Sequence, residues 1–454
     1  MPDILVYKFG GTSLQTAEQI LKVVEIIKNH RDALVVVTSA VGGITNKLVS
    51  IAEHPDSAPD AIRELRKIHR GIAENVGLDD GALQEYFEYL DNTLGDAVAN
   101  DSVDAQKRDL ILSIGERLST CLVSKILNAH GMKSVYVDSR DIIRTDSRWG
   151  SARVDMAKSR TLSRKALLPA LANGTIPLVT GFLGSNNRNQ TTTIGRNGSD
   201  LSATIIGACV DAAEVWIWTD VSGVFNADPR YHPGAKILRE ISFREAAEAA
   251  FFGAKVVHPH TLWPVLETKV AVRVKNSYQP EDEGTLICAE PKSRGDLLIT
   301  TAVENVAVVT VSGYGMIGLQ GISARVFDAV ASVGASVFMI SQSSSEHNIS
   351  FVIGAKDVDS TVKSLENALS EWIEKEHMIE RIRIVRDVAI ITVVGENMRG
   401  RPGIAGKIFS ALGRHQINVI AIAQGSSEYS ISSVIHASDV RKATECIHLE
   451  LDEV

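Results

Sequence analysis

From Ile4 to Phe9 the chain is apolar and β-branched, then turns through Gly10-Gly11-Thr12-Ser13 and shows helically spaced apolar positions from Glu18 to Lys28. This pattern predicts a strand, a glycine turn and a helix. Further strand candidates occupy Ala33–Ser39, Ser134–Asp138, Ile176–Phe182 and Val215–Thr219, separated by longer helical patterns such as Lys107–Asn128. Strands alternating with helices predict an α/β fold, an α/β sandwich built on a mostly parallel sheet. At Cys288–Gly295 the pattern gives way to the polar, Pro- and Gly-containing stretch AEPKSRG, which marks a domain boundary.

Beyond that boundary the pattern repeats. VAVVTVSGYGMIGLQGI from Val306 matches VAIITVVGENMRGRPGI from Val388, ARVF at Ala324 matches GKIF at Gly406, and ISQSSSEHNIS at Ile340 matches IAQGSSEYSIS at Ile422. The offset is 82 residues in every pair, without a gap. Two copies at so long a period mean duplicated small domains rather than a solenoid. Each copy reads strand, Gly-rich loop, helix, strand, turn, strand, helix, a ferredoxin-like βαββαβ order, with closing helices at Asp357–Trp372 and Asp439–Leu451. The expected organisation is a large domain over 1–290 and two small ones over 300–380 and 386–454.

Composition narrows the classes. A chain of 454 residues exceeds one ordinary core, and 44% apolar with 22% charged residues describes a folded globular protein. The net charge of −8, with no basic tract, argues against nucleic acid as a partner. The N-terminal MPDILVYKFGG lacks the segments of a secretory signal, and no apolar run reaches spanning length, so a cytoplasmic location is expected. Cys121, Cys209, Cys288 and Cys446 lie far apart without a CxxC pair, which suits reduced thiols rather than disulfides or a metal cluster.

The candidate chemistry lies in the loops after apolar strands. In VYKFGGTS, open N–H groups of Gly10 and Gly11 and the ammonium of Lys8 form an anion cradle; the blander reading is a turn with helix caps. In VVVTSAVGGITN, Ser39, Gly42, Gly43, Thr45 and Asn46 fall at the same carboxyl edge, where open α/β sheets bind ligands, or form an ordinary polar loop. LSIGERLST sets Glu116 and Arg117 in an apolar helix, where each charge needs a partner: a ligand's ammonium for the carboxylate, or a helix ion pair. TTTIGRNGSD brings Arg196, able to fork onto a carboxylate or phosphate, together with Ser199 and Asp200 at a helix start, where Asp200 could simply be a cap. WIWTDVSGVFNADPR and FFGAKVVHP add Thr219, Asp220, Asp228, Arg230 and Lys255, a polar set suited to ribose, phosphate and metal-bound oxygens or to solvated loops.

Taken in order, KFGGTS, the SA…TN strand end, SIGERLS, TTIGRNGSD, WTDVSGV…DPR, FGAKVVHP and EGTLI resemble the aspartate kinases of the amino-acid kinase family. The repeat resembles their paired ACT domains, including the QGSSE segment at Gln424–Glu428, so the resemblance covers essentially the whole chain. It implies transfer of the γ-phosphoryl of ATP to the side-chain carboxylate of L-aspartate, with ATP and Mg²⁺ as cofactors. It implies Lys8 on the transferred phosphoryl, Gly10 and Gly11 offering N–H groups, and Asp200 organising Lys8. Aspartate falls to Arg196, Glu116, Ser39, Thr45 and Ser199, and ATP to Thr219, Asp220, Phe225, Arg230 and Lys255. Many relatives carry Tyr at the position of Phe225 and Gly at that of Asn197. A carboxylate with a reference pKa of about 3.9 needs no general base at neutral pH, which agrees with that assignment. Mg²⁺ is expected on ATP oxygens and water, with no protein ligand.

Rival readings are an acetylglutamate or carbamate kinase of the same fold and a non-catalytic amino-acid sensor. SIGERLS with the repeat pair counts against the first, and Lys8, Asp200 and Lys255 together against the second. A chain that closes at Val454, just after the second repeat's helix, is expected to be monofunctional, without a homoserine dehydrogenase. For regulation, the expected effector residues are Met316 and Gly318 in a Gly-bearing loop, with Gln342 and Gln424 at strand ends; threonine is the first candidate and lysine the second. The first copy has Ser343 and His347 where the second has Gly425 and Tyr429. ACT sheets seek partners for their edges, so a homodimer or homotetramer is expected.

Overall fold

The structure, a computed structural model, describes residues 3–30, 33–98, 103–254, 257–292, 298–342 and 347–452. The chain divides into two compact units: Met1–Val224 with Ile237–Phe243 and Val256–Lys292, and Phe225–Lys236 with Arg244–Lys255 and Ser293–Val454. Two stretches of the expected 1–290 domain therefore cluster with the repeats.

The first unit is built on strands β1 (Ile4–Phe9), β2 (Ala33–Thr38), β3 (Ser134–Val137), β4 (Ile176–Thr180), the short pair β5 (Leu183–Ser185) and β6 (Thr191–Thr193), β7 (Glu214–Thr219), β8 (Glu240–Ser242), β9 (Ala271–Asn276) and β10 (Thr285–Cys288). Its sheet runs β3-β4-β2-β1-β7-β9-β10-β8, parallel from β3 to β9, with β10 antiparallel to β9. All the strands read from the sequence are present. Central β1 and β2 are almost wholly buried and largely apolar because both faces are covered. Tyr7 and Phe9 join a core with the helices Ala17–Lys28 and Ala105–Ala129, while the buried helix Gly198–Val210 packs against β1 and β2. Lys8 is the one charge on β1, one residue from its carboxyl end.

The second unit carries β11 (Ile299–Ser312), β12 (Val337–Gln342), β13 (Asn348–Gly354), β14 (Arg381–Val394), β15 (Ala421–Gln424) and β16 (Ser430–His436), in the order β12-β13-β11-β14-β16-β15. β11 and β14 are long antiparallel partners, and the equivalent residues Val306 and Val388 face each other in register. Just before each stands a non-glycine residue with positive φ, Asn305 at 57° and Asp387 at 54°. Asn and Asp tolerate this region better than other side chains. The chain bends there, so each long strand serves both halves of the sheet. The first repeat takes its fourth strand from 381–385, and the second takes its fourth from 299–303, ahead of the first repeat. The stretch shared by the two copies starts at Val306 in the first and at Val388 in the second, and these two residues are paired. Each repeat has its own core under two helices, Ile322–Ser332 with Val358–Ser370 and Ile404–Arg414 with Val440–Asp452. No helix among the described residues is long and apolar enough to cross a membrane.

Candidate active site

Three strand ends, of β1, β2 and β4, converge with the starts of two helices on a cleft of about 490 Å³. It is lined by Lys8, Gly11, Ser39, Thr45, Glu116, Arg196, Ser199 and Asp200 among others, so the structure brings the phosphoryl and aspartate residues into one place. Lys8 Nζ lies 2.6 Å from Asp200 Oδ1, both side chains nearly buried. A salt bridge held this far from solvent keeps the ammonium fixed rather than free to sample rotamers. Gly10 leaves the space in which a Cβ would stand 3.2 Å from Lys8 Nζ, and a Cβ on Gly11 would stand 3.0 Å from the Ala40 carbonyl.

The helix Ala105–Ala129 supplies the opposite wall, and it comes close because of a glycine. A Cβ at Gly115 would meet the Ala40 side chain at 2.9 Å. Next to it, Glu116 is buried, and burial pushes its carboxyl up to about 8 against the Ala40 N–H and the Lys8 charge, which pull it down. Its Oε2 has no hydrogen-bond partner, an arrangement that costs free energy unless a ligand completes it. Arg117, its neighbour, takes the structural role: Nε lies 3.3 Å from Asp138, and the guanidinium stacks 3.9 Å from the Tyr89 ring.

The third side is the turn into the helix Gly198–Val210. Asn197 caps it at φ 52°, in the left-handed region that asparagine tolerates better than most side chains. Asp200 is therefore in the first turn and pairs with Lys8 instead of capping. Arg196 is exposed at the cleft.

Asp109 escaped the sequence reading. Fully buried, it accepts hydrogen bonds from Gly150 N at 3.0 and 2.9 Å, Thr193 N at 2.7 Å and Thr193 Oγ1 at 2.9 Å. Gly150 and Thr193 both line the cleft, so Asp109 positions two of its loops. The available signal was its spacing, seven residues before Glu116, which puts both on one helix face.

The nucleotide residues divide. Thr219 ends β7 and donates to Asp220 at 3.1 Å within the first unit. Phe225 and Arg230 belong to the second unit, where Arg230 pairs with Asp228 at 2.6 Å. Lys255 lies outside the described residues. Of the effector residues, Met316 is buried in the first repeat's core. Gly318 has φ 74°, and Gln342 and Gln424 are exposed at the ends of β12 and β15. Ser343 lies outside the described residues.

Comparison with known proteins places this arrangement. The amino acid kinase family profile matches residues 3–276, and an ACT domain profile matches 309–369 and 391–451. The chain is 33% identical over 461 residues to the bifunctional aspartokinase/homoserine dehydrogenase 2 of Arabidopsis thaliana, covering 98% of this chain and 50% of that protein. It thus spans about half the length of several bifunctional relatives it matches. The lysine-sensitive aspartokinase 3 of Escherichia coli is 31% identical over 458 residues, with 100% of both chains covered. The E. coli aspartokinase III structure in complex with aspartate and ADP superposes with a TM-score of 0.82 at 30% identity, over 99% of this chain and 100% of that one. The same enzyme's complex with lysine and aspartate gives 0.84 at 30% identity, over 99% of each chain. This chain belongs to the amino acid kinase family, among the aspartokinases that carry a pair of ACT domains.

Proposed function

We propose that the chain is an aspartate kinase, transferring the γ-phosphoryl of MgATP to the β-carboxylate of L-aspartate to give 4-phospho-L-aspartate and ADP. A carboxylate oxygen forms the new bond to phosphorus as the bond to the ADP oxygen breaks, and no proton moves. The task is therefore positioning and charge neutralisation. The observation that carries this reading is the cleft itself. It combines the Lys8–Asp200 pair at a glycine turn with a buried carboxyl, Glu116, whose Oε2 has no hydrogen-bond partner, and one exposed guanidinium, Arg196. Lys8 meets the charge that shifts onto the leaving oxygens, held there by Asp200. Glu116 takes the α-ammonium of aspartate, Arg196 forks onto its α-carboxylate, and Ser39, Thr45 and Ser199 complete the pocket. Thr219, Asp220, Phe225, Arg230 and Lys255 are assigned to ATP. No group of three His, Cys, Asp or Glu suited to a metal occurs among the described residues, and Mg²⁺ is assigned to the nucleotide's oxygens.

The test is trapping of the acyl phosphate as its hydroxamate in the presence of aspartate, acetylglutamate or carbamate with MgATP. Product with aspartate alone supports the reading. Absence of hydroxamate at high enzyme concentration, with folding verified, overturns it.

For the repeats we infer control by an amino acid, with the exposed Gln342 and Gln424 reading its polar groups. The resemblance to a lysine-sensitive relative adds weight to lysine beside threonine. Titrating both against the kinase assay distinguishes them, and no change in KM, kcat or melting at millimolar effector sinks the regulatory reading. Self-association fits the edge strands, where the equivalent residues Ile340 and Ile422 are 49% and 46% exposed. Sedimentation of the full chain tests it.

A further inference from the structure

The local two-fold of the repeat pair generates two equivalent mouths to the space between the sheet halves. Apolar residues of both halves meet there, Val306 and Val308 from one with Val388 and Ile390 from the other. At one mouth the segment 244–252 is docked. Phe252 enters that apolar cluster, Glu245 Oε1 accepts from Glu396 N at 3.0 Å, and Ser430 Oγ donates to Glu248 Oε2 at 3.0 Å. Arg244 meets the Tyr429 hydroxyl at 2.7 Å. The molecule thus shows how this surface holds a pair of carboxylates.

Among the described residues nothing is docked at the other mouth, which forms a cavity of about 360 Å³. Its lining includes His347, Asn348 and Ser350, which correspond across the 82-residue offset to Tyr429, Ser430 and Ser432. The difference is charge. Where the docked mouth has Ile299 and Thr301, both buried, the open one has their counterparts Arg381 and Arg383, both exposed. They lie on one side of β14, in register with Ser312 and Thr310. Neither guanidinium has an ion-pair partner among the described residues.

We propose that this second mouth is a binding site for a small dicarboxylate, seated where Glu245 and Glu248 sit at the first. Two guanidinium forks match two carboxylates better than any other pair of side chains. Asn348 keeps the hydrogen-bond donor that Ser430 provides on the docked side. The volume lies within the range of small-molecule sites, roughly 300–1,000 Å³. Glu380, on the same rim, would accept an ammonium, so an acidic amino acid fits as well as a plain diacid.

Calorimetric titration of the full chain with glutarate, and separately with L-glutamate, tests the site, with butyrate as the single-carboxylate control. Glutarate should bind, butyrate far more weakly, and the Arg381→Gln/Arg383→Gln variant should lose at least about tenfold in affinity. Arg386→Gln, whose parent arginine pairs with Asp359 at 2.6 Å, should bind glutarate as the parent does. Circular dichroism of each variant confirms that its fold is kept. The site is overturned if neither diacid binds at millimolar concentration, if butyrate binds equally, or if the double variant binds unchanged. It is equally overturned if the double variant instead alters sedimentation while no diacid binds, because the face is then a contact between copies.

Discussion

The cleft of the first unit and the repeat pair of the second both set glycine turns after buried strands, but particular glycines and charges in the two serve different ends. In the cleft, Gly11, Gly181 and Gly198 are there for space: a Cβ on Gly198 would stand 2.4 Å from the Phe182 ring, and one on Gly181 2.6 Å from Ser199. In the repeats, Gly318, Gly321, Gly400 and Gly403 have open space around them and positive φ between 67° and 97°. Charge follows the same division. Lys8, Glu116 and Asp109 are buried in the cleft unit, whereas Arg381 and Arg383 stand in solvent. Buried charges act in a low dielectric and are fixed before a ligand arrives. Exposed ones respond to what binds, each contact being worth little alone. Removing a cleft charge should therefore cost more than removing any charge in the repeats.

Lys8→Ala is the largest test of that ranking. Its contact strengthens as charge shifts in the transition state, so kcat should fall about a hundredfold to a thousandfold with a smaller change in KM for ATP. An unchanged kcat in steady-state assays would remove Lys8 from the chemistry and level the two regions.

The glycines come next. Gly198→Ala should destabilise the fold by roughly 1–3 kcal/mol through overpacking against Phe182 and also damage activity. Gly318→Ala should cost about 1 kcal/mol from backbone strain alone and leave the uninhibited rate intact. Denaturant titrations paired with assays read both, and equal losses of activity would show that the glycines do not divide as described.

How much of this was legible in the sequence follows from the same division. Strand-and-glycine patterns located the β1, β2 and β4 ends because buried parallel strands are continuous apolar runs. Lys8, Glu116 and Arg196 stood out as charges in or beside such runs. Asp109 was overlooked because its partners are backbone N–H groups at Gly150 and Thr193, which leave no side-chain pattern to read. The role of Arg117 depended on Asp138, 21 residues away, a pairing that periodicity does not encode. The exchange of fourth strands between the repeats was hidden for a related reason: β11 and β14 each read as one strand, and only the bends at Asn305 and Asp387 divide them.

Glu116 supplies a pH signature that the repeats should lack. With its carboxyl pushed up to about 8, the free enzyme holds it largely neutral at pH 7 and ionised at pH 9. If the ionised form takes the aspartate ammonium, KM for aspartate should fall roughly tenfold across that interval. Glu116→Gln should flatten the profile. Stability should move the other way: between the ordinary carboxyl value of 4.5 and about 8 the folded state holds the proton that the unfolded state has lost. Stability therefore declines as pH rises through that window, and the Gln variant should not show this decline. A flat KM profile in the parent enzyme would dismiss the ammonium role.

The smallest expected effect separates the two mouths of the repeat pair. Ser430 donates to Glu248 at 3.0 Å in a half-buried contact, so Ser430→Ala should cost about 1 kcal/mol, a hydrogen bond to a carboxylate discounted for solvent. Among the described residues its counterpart Asn348 has only a 3.4 Å side-chain contact to His347, and Asn348→Ala should change stability by less than about 0.5 kcal/mol. Adding glutarate should reverse the order of interest, stabilising the parent and the Ser430 variant but giving less to the Asn348 variant, since a ligand stabilises only the folded state that binds it. Urea titrations with and without the diacid measure all three chains. Equal costs for the two alanines, with equal shifts on adding glutarate, would mean that the docked segment 244–252 is not what distinguishes one mouth from the other.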